Sequence, residues 1–149
     1  MASEKVMTLV SADEEQEVGR ALLVWLNSCP EKPVSRINFE FLPSDSPGMM
    51  LSTIQAAFKT REYILGGYEA EYQFKIVYRV QPSDNDSRLA ADEVLNVIGA
   101  WAENNVEKPN LKSAAVRSVK RTSNASLLAV YEDGSRDHQI LMTLTYEVN

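Results

Sequence analysis

The chain has 149 residues, 44% hydrophobic and 24% charged, with a formal net charge of -6 at neutral pH. That length and balance fit one globular domain over residues 1–149 with a genuine core, and the acidic field argues against nucleic acid as a partner. Cys29 is the sole cysteine, which rules out an intramolecular disulfide or a thiolate zinc cluster, and no apolar run approaches the roughly 20 residues of a membrane span. The opening MASEKVMTLVSADEEQ lacks the apolar stretch of a signal peptide, so a soluble, unsecreted chain is expected.

The first predicted element is a helix from about Ser11 to Ser28. Ser11 with Glu14 makes a capping-box signal, Asp13, Glu14, Glu15 and Glu17 suit the positive end of the helix dipole, and Val18, Ala21, Leu22, Trp25 and Leu26 form one apolar stripe. Pro30 and Pro33 stop it. Ser35 to Leu42 reads as a strand, with Ile37, Phe39 and Phe41 alternating against polar neighbours, closed by the turn-forming Pro43 to Gly48. Met49 to Phe58 has a weaker pattern and reads as an extended strand or arm, either an edge strand or a surface that meets a partner.

Glu62 to Gln81 carries the cleanest alternation in the chain. It reads as two strands folded on a two-residue Gly66-Gly67 turn, with the even-numbered positions from Tyr68 to Val80 on one buried face and only Val77 out of step. A second helix is predicted from about Ser87 to Asn105, its buried face marked by Ala90, Val94, Val97, Ile98 and Trp101, with Ala91 and Leu95 widening it and Gly99 allowing a close approach to the sheet. Three strands follow, Ala115 to Thr122, Ser126 to Glu132 and Asp137 to Val148, read as a meander through Ser123-Asn124 and Asp133-Gly134. No internal repeat is visible in the residues. The order implies an α+β fold: a mainly antiparallel β-sheet with two helices packed on one face.

Chemistry is sparse. His138 is the only histidine and no nucleophile-elbow sequence surrounds a serine, so a solvated or structural histidine is expected and the chain reads as no enzyme. Cys29 reads as a small residue packed at a helix end. Gly66-Gly67 lacks the spacing and following helix of a phosphate loop. Nothing calls for a metal or a cofactor. Tyr68, Tyr72 and Tyr78 could stack on a ligand, but they share their side with Phe74, Ile76 and Val80, which favours a core face. Lys112, Arg117, Lys120 and Arg121 form the densest basic set, read as a wet strand side or a contact to an acidic protein surface.

Taken whole, REYILGGYEAEYQFKIVYRV (61–80), RLAADEVLNVIGAWAE (88–103) and DHQILMTLTYEV (137–148) resemble a family of minor capsid or tail-component proteins from the tail-assembly region of phages and prophages of Gram-positive bacteria. That family in turn resembles tail terminators. The resemblance implies a virion protein without catalysis, made in the host cytoplasm and built into the tail or a tail-like particle. Its partners would be further copies of itself in a ring of about six, the tail tube protein and the head-tail connector. It carries over no site residues. The apolar positions Met49, Met50, Leu51, Ile54 and Phe58 are the expected subunit or tube contact, because they lack a clear core pattern. A small ligand- or partner-binding module using the aromatic sheet face is the alternative. Relatives of the family have sometimes carried an antibiotic-resistance label suggesting acetyl transfer, but His138 is followed by Gln-Ile-Leu-Met-Thr, without the Asp-Gly expected downstream in such acetyltransferases.

Overall fold

The computed structural model describes residues 8–43, 47–82, 84–107, 109–112 and 114–149. Ser11 caps the first helix, α1 (Ala12–Asn27), with its hydroxyl accepting from the Glu14 N–H at 3.2 Å. Asp84 does the same for α2 (Asn85–Asn104), accepting from the Ser87 N–H at 2.8 Å. Both starts follow from local chemistry: a short polar side chain satisfies an N–H that the first turn cannot. The strands are β1 (Thr8–Leu9), β2 (Asn38–Phe39), β3 (Gly48–Thr53), β4 (Phe58–Glu62), β5 (Tyr68–Val80), β6 (Ala114–Arg121), β7 (Ser126–Val130) and β8 (Arg136–Val148).

One mainly antiparallel sheet holds all eight. At its centre β5 and β8 pair along their full 13-residue lengths, from Tyr68 opposite Val148 to Val80 opposite Arg136. The outer side of β5 takes β3 on Phe74–Arg79 and β4 on Tyr68–Glu71, and the outer side of β8 takes β7 and β6 in the same end-to-end manner. Beyond them β1 pairs antiparallel with β4, and β2 runs parallel to β3. Directly opposed residues point the same way, so Tyr72, Phe74 and Ile76 share a face with Leu144, Met142 and Ile140; all six are buried.

Both helices cover that face. A Cβ on Gly19 of α1 would lie 2.9 Å from the Tyr72 hydroxyl, one on Gly99 of α2 would lie 2.9 Å from Ile140 Cδ1, and the rings of Trp25 and Trp101 meet at 5.3 Å between the helices. The close approach expected at Gly99 is present. The predicted α2 stripe is rotated, however: Ala91, Leu95, Ile98, Gly99 and Ala102 are buried, whereas Ala90 and Val97 are exposed and Val94 and Trp101 half-buried. A helix pressed this closely to a sheet turns its small residues inward, and a reading weighted to large apolar side chains selects the flank instead.

Three further expectations are corrected. The strand over Ser35 to Leu42 shrinks to Asn38–Phe39, because Glu40 takes a φ of 50° that ends the extended run; Ile37 is core, but Phe39 and Phe41 are exposed. The β4–β5 connection is not a two-residue turn. Gly66 N–H donates to Tyr63 O and Tyr63 N–H to Gly67 O, leaving Ile64, Leu65 and Gly66 as a three-residue loop with the glycine at positive φ. The last three strands are not a meander, since β6 and β7 both pair with β8 and continue one another along it.

That last feature exposes a repeat that the residues conceal. Moving from β4 at 58–62 to β7 at 126–130, or from β5 at 68–80 to β8 at 136–148, is a shift of 68. The same shift carries the β4 register break at Lys59/Arg61 onto the β7 break at Leu127/Ala129, and the Tyr63–Gly67 loop onto Tyr131–Ser135, which makes the same two hydrogen bonds around Gly134. Phe74 pairs with Met142, its own equivalent, so the two halves meet about a pseudo-two-fold axis at that pair. Each half is a helix, an interrupted strand, a tight loop and a long strand.

The two loop glycines are separable by substitution. Gly66 has open space around a Cβ, whereas one on Gly67 would lie 2.5 Å from the Val148 carbonyl oxygen. Gly66→Ala should cost about 1 kcal/mol for its backbone conformation alone, and Gly67→Ala about 3 kcal/mol or more. Urea unfolding of both variants checks this; equal losses would contradict the packing of the loop on the end of β8.

Candidate functional site

Inside the fold, titratable side chains are engaged in holding the layers together. Glu14 sits in the first turn of α1, and in place of returning to the Ser11 N–H it turns inward, where its carboxylate accepts hydrogen bonds from the Tyr146 hydroxyl at 2.7 Å and from the Tyr68 hydroxyl. Burial and then the Glu14 carboxylate hold both phenols protonated, pushing Tyr68 up to about 12 and Tyr146 further. On the other face Arg79 grips Asp137 through Nε and Nη2 at 2.8 and 3.0 Å, and the Tyr131 hydroxyl donates to the same carboxylate at 2.7 Å.

His138 lies on β8 opposite Tyr78, buried, with Nδ1 2.8 Å from Asp92 of α2. Of the two expectations, solvated or structural, the structure shows the second: the pair pins α2 to the sheet. Among the described residues its Nε2 has no hydrogen-bond partner, and no side-chain hydroxyl is bonded there for the imidazole to activate. Among the described residues no group of three or more His, Cys, Asp or Glu side chains could hold a metal ion, and no helix is long and apolar enough to cross a membrane. Cys29 is buried just after the end of α1, and burial pushes its thiol up, as for a packed and unreactive side chain. The aromatic side of β5 lies under the helices: Tyr72 and Phe74 are core and Tyr78 is buried, so it offers no open stacking platform.

The expected contact residues fare unevenly. Met49, Leu51 and Phe58 are core side chains, Leu51 and Met49 standing beside Ile76 and Tyr78 on the covered face of the sheet; a side chain buried within its own chain is not available to another. Met50 and Ile54 are half-buried. The basic set does not form one patch either. Arg121 turns toward α2, bonding Glu103 at 2.8 Å, while Arg117 reaches the opposite face to bind Glu147. Lys112 lines a groove with Arg20, Val24 and Trp25 of α1, and Lys120 is exposed.

The exposed large apolar side chains lie elsewhere. Leu9, Phe39 and Phe41 stand at or next to the β1–β2 edge, Leu127, Leu128, Val130 and Tyr131 at the β7 edge, Val24, Leu89 and Val97 on the helices, and Ile64 and Leu65 at the tip of the β4–β5 loop, both fully exposed. Beside the β1–β2 edge, a cleft of about 500 Å³ runs between α1 and β2, lined among others by Glu15, Gly19, Leu23, Phe39, Glu40 and Tyr72. Sequence reasoning placed Ile64 and Leu65 inside a strand and so missed the tip. Ser-Leu-Leu-Ala-Val did carry a signal: a strand without alternation is either covered on both faces or lies at an edge.

No protein-family profile matches the chain. No curated protein matches it. Among solved structures it is similar to a chain of the virion of a native gene transfer agent particle, with a TM-score of 0.54 and 13% identity, over 89% of this chain and 93% of that one. At that identity the likeness is one of fold.

The buried phenols make stability fall in alkali. Tyr68, Tyr72, Tyr78 and Tyr146 are raised by burial first, and Tyr131 chiefly by its hydrogen bond to Asp137. Above the usual tyrosine value of 10 the unfolded chain releases protons that the folded chain keeps, so stability is complete below pH 10 and declines as pH rises toward about 12. Urea midpoints measured across that window, alongside tyrosinate absorbance, should show the decline, with a shallower slope in Tyr146→Phe. A midpoint that stays level across the window would contradict the buried hydroxyl network.

Proposed function

We propose that this chain is a non-enzymatic structural subunit of a phage-type virion, and within it a tail terminator or tail-completion protein that caps the tail tube and joins it to the head connector. The observation that carries the reading is the similarity of fold, along nearly the whole of both chains, to a chain of the virion of a native gene transfer agent particle. The interior supports it. The one histidine is committed to Asp92, with Nε2 unpartnered, and the half-buried carboxylate of Glu14 is committed to two phenols. What the chain offers its surroundings is apolar side chains on sheet edges and a loop tip, which is the equipment of a protein that works by assembly. The proposed partners are further copies of itself, the tube protein and the head-tail connector.

The test is assembly state. Light scattering coupled to size exclusion over a concentration series, with negative-stain images before and after adding tail tubes, should show closed rings of about six copies, bound at tube ends. Monomers at every concentration that leave tube ends bare would remove the reading.

A further inference from the structure

We infer that the two opposite edges of the sheet form one subunit contact, the β6–β7 edge of one copy receiving the β1–β2 edge of the next. The inference rests on the ring-forming reading above and names the surfaces through which a ring would close.

The repeat makes the two edges comparable. In the first half the outer side of β4 is covered by β1, Thr8 opposite Lys59 and Leu9 opposite Phe58, and that of β3 by β2, Asn38 opposite Met50 and Phe39 opposite Leu51. The shift of 68 carries those covered positions onto Leu127, Ser126, Ser118 and Val119. There β6 and β7 have β8 on one side and, among the described residues, no strand on the other. Among the described residues, then, one half of the repeat is covered and the equivalent half is bare.

The chemistry of the two edges matches. Bare β7 is the uncharged Ser-Leu-Leu-Ala-Val with Leu127, Leu128 and Val130 exposed, and the edge that would meet it ends in the exposed Leu9, Phe39 and Phe41. Such edges cost solubility unless something covers them. The cleft between α1 and β2 lies where Leu127 and Leu128 of the next copy would enter. The two patches differ, so the contact is head-to-tail, and repeated application of it either closes a ring or runs on as a filament. The register breaks in β6 and β7 and the two-residue lengths of β1 and β2 keep the backbone ladder short. Side chains therefore supply most of the contact.

Two edge variants test this. Phe41→Asp disables one edge and Leu128→Arg the other; both side chains are exposed, so the thermal midpoints should match that of the parent chain, with Leu128→Ser as a milder control. Each variant alone should stay monomeric where the parent forms rings, and an equimolar mixture should stop at dimers, because each pair keeps one working edge of each kind. Phe41→Cys and Leu128→Cys, joined on mixing by a flexible thiol reagent, should cross-link between copies even where association is weak. Rings that form unchanged in both edge variants would overturn the edge assignment and leave the ring reading standing. A dimer of Phe41→Asp alone would show β7 pairing with itself and would also overturn it. Absence of rings and cross-links in the parent background, with tail tubes present, would overturn the edge contact and the ring reading together.

Discussion

The antiparallel ladder between β5 and β8 is the constraint on which the rest of the molecule depends. Its 13 facing pairs decide which side of the sheet is dry: Tyr72, Phe74 and Ile76 point toward the helices only while Leu144, Met142 and Ile140 stand opposite them. A slip of one residue would send every core side chain to the wet face. The register is held at both ends. At one end Arg79 holds Asp137, its direct partner across the ladder, in a two-pronged ion pair; at the other the Gly67 turn packs on the Val148 carbonyl, where no side chain fits.

The helices follow from that ladder. Each comes close through a glycine, Gly19 above Tyr72 and Gly99 above Ile140, and a half-buried polar contact fixes each along the sheet: Glu14 to Tyr68 and Tyr146, Asp92 to His138. These contacts are arranged differently in the two halves. Stripping a buried hydroxyl or imidazole such as Tyr146 or His138 of its carboxylate partner costs about 1–3 kcal/mol. This is why the titratable residues of the interior read as structure.

What the sequence made legible was local. The limits of α1 follow from Ser11 and from the prolines beyond Ser28, and the even-numbered face of β5 follows from its alternation, because caps and period-two patterns are settled by neighbours in the chain. The misses were non-local or concerned backbone. Nothing in Ser35 to Leu42 announces the positive φ of Glu40, and no local pattern says that β6 and β7 both pair with β8. The repeat stayed hidden because little beyond Tyr63 and Tyr131, Gly66 and Gly134, Tyr78 and Tyr146, and Val80 and Val148 matches across the shift. Register and loop geometry have been kept while most side chains differ. The weak pattern of Met49 to Phe58 has a related cause: the stretch spans the end of β3, the positive-φ break at Gln55 and the start of β4, so no single alternation runs through it, and Met49, Leu51 and Phe58 are core.

A sheet of two equivalent halves would be expected to have two equivalent edges, and the differences between the halves show where the equivalence is lost. Arg79 faces Asp137 at one end of the ladder, but the pair that the shift places at the other end is Glu69 and Glu147, two like charges directly opposite. Left alone, such a pair opposes the ladder. It is tolerated because Arg117, at the register break of β6, turns to Glu147, and the Thr60 hydroxyl donates to Glu69 at 2.9 Å. The outer strands differ in the same sense: β1 and β2 cover the first half, and the uncharged β7 leaves the second half bare. An edge that is apolar, uncovered and not guarded by charge is a stability and solubility cost to a free subunit. Among the described residues it stays bare on one half beside a cover built on the other, so a sheet of two equivalent halves ends in two inequivalent edges.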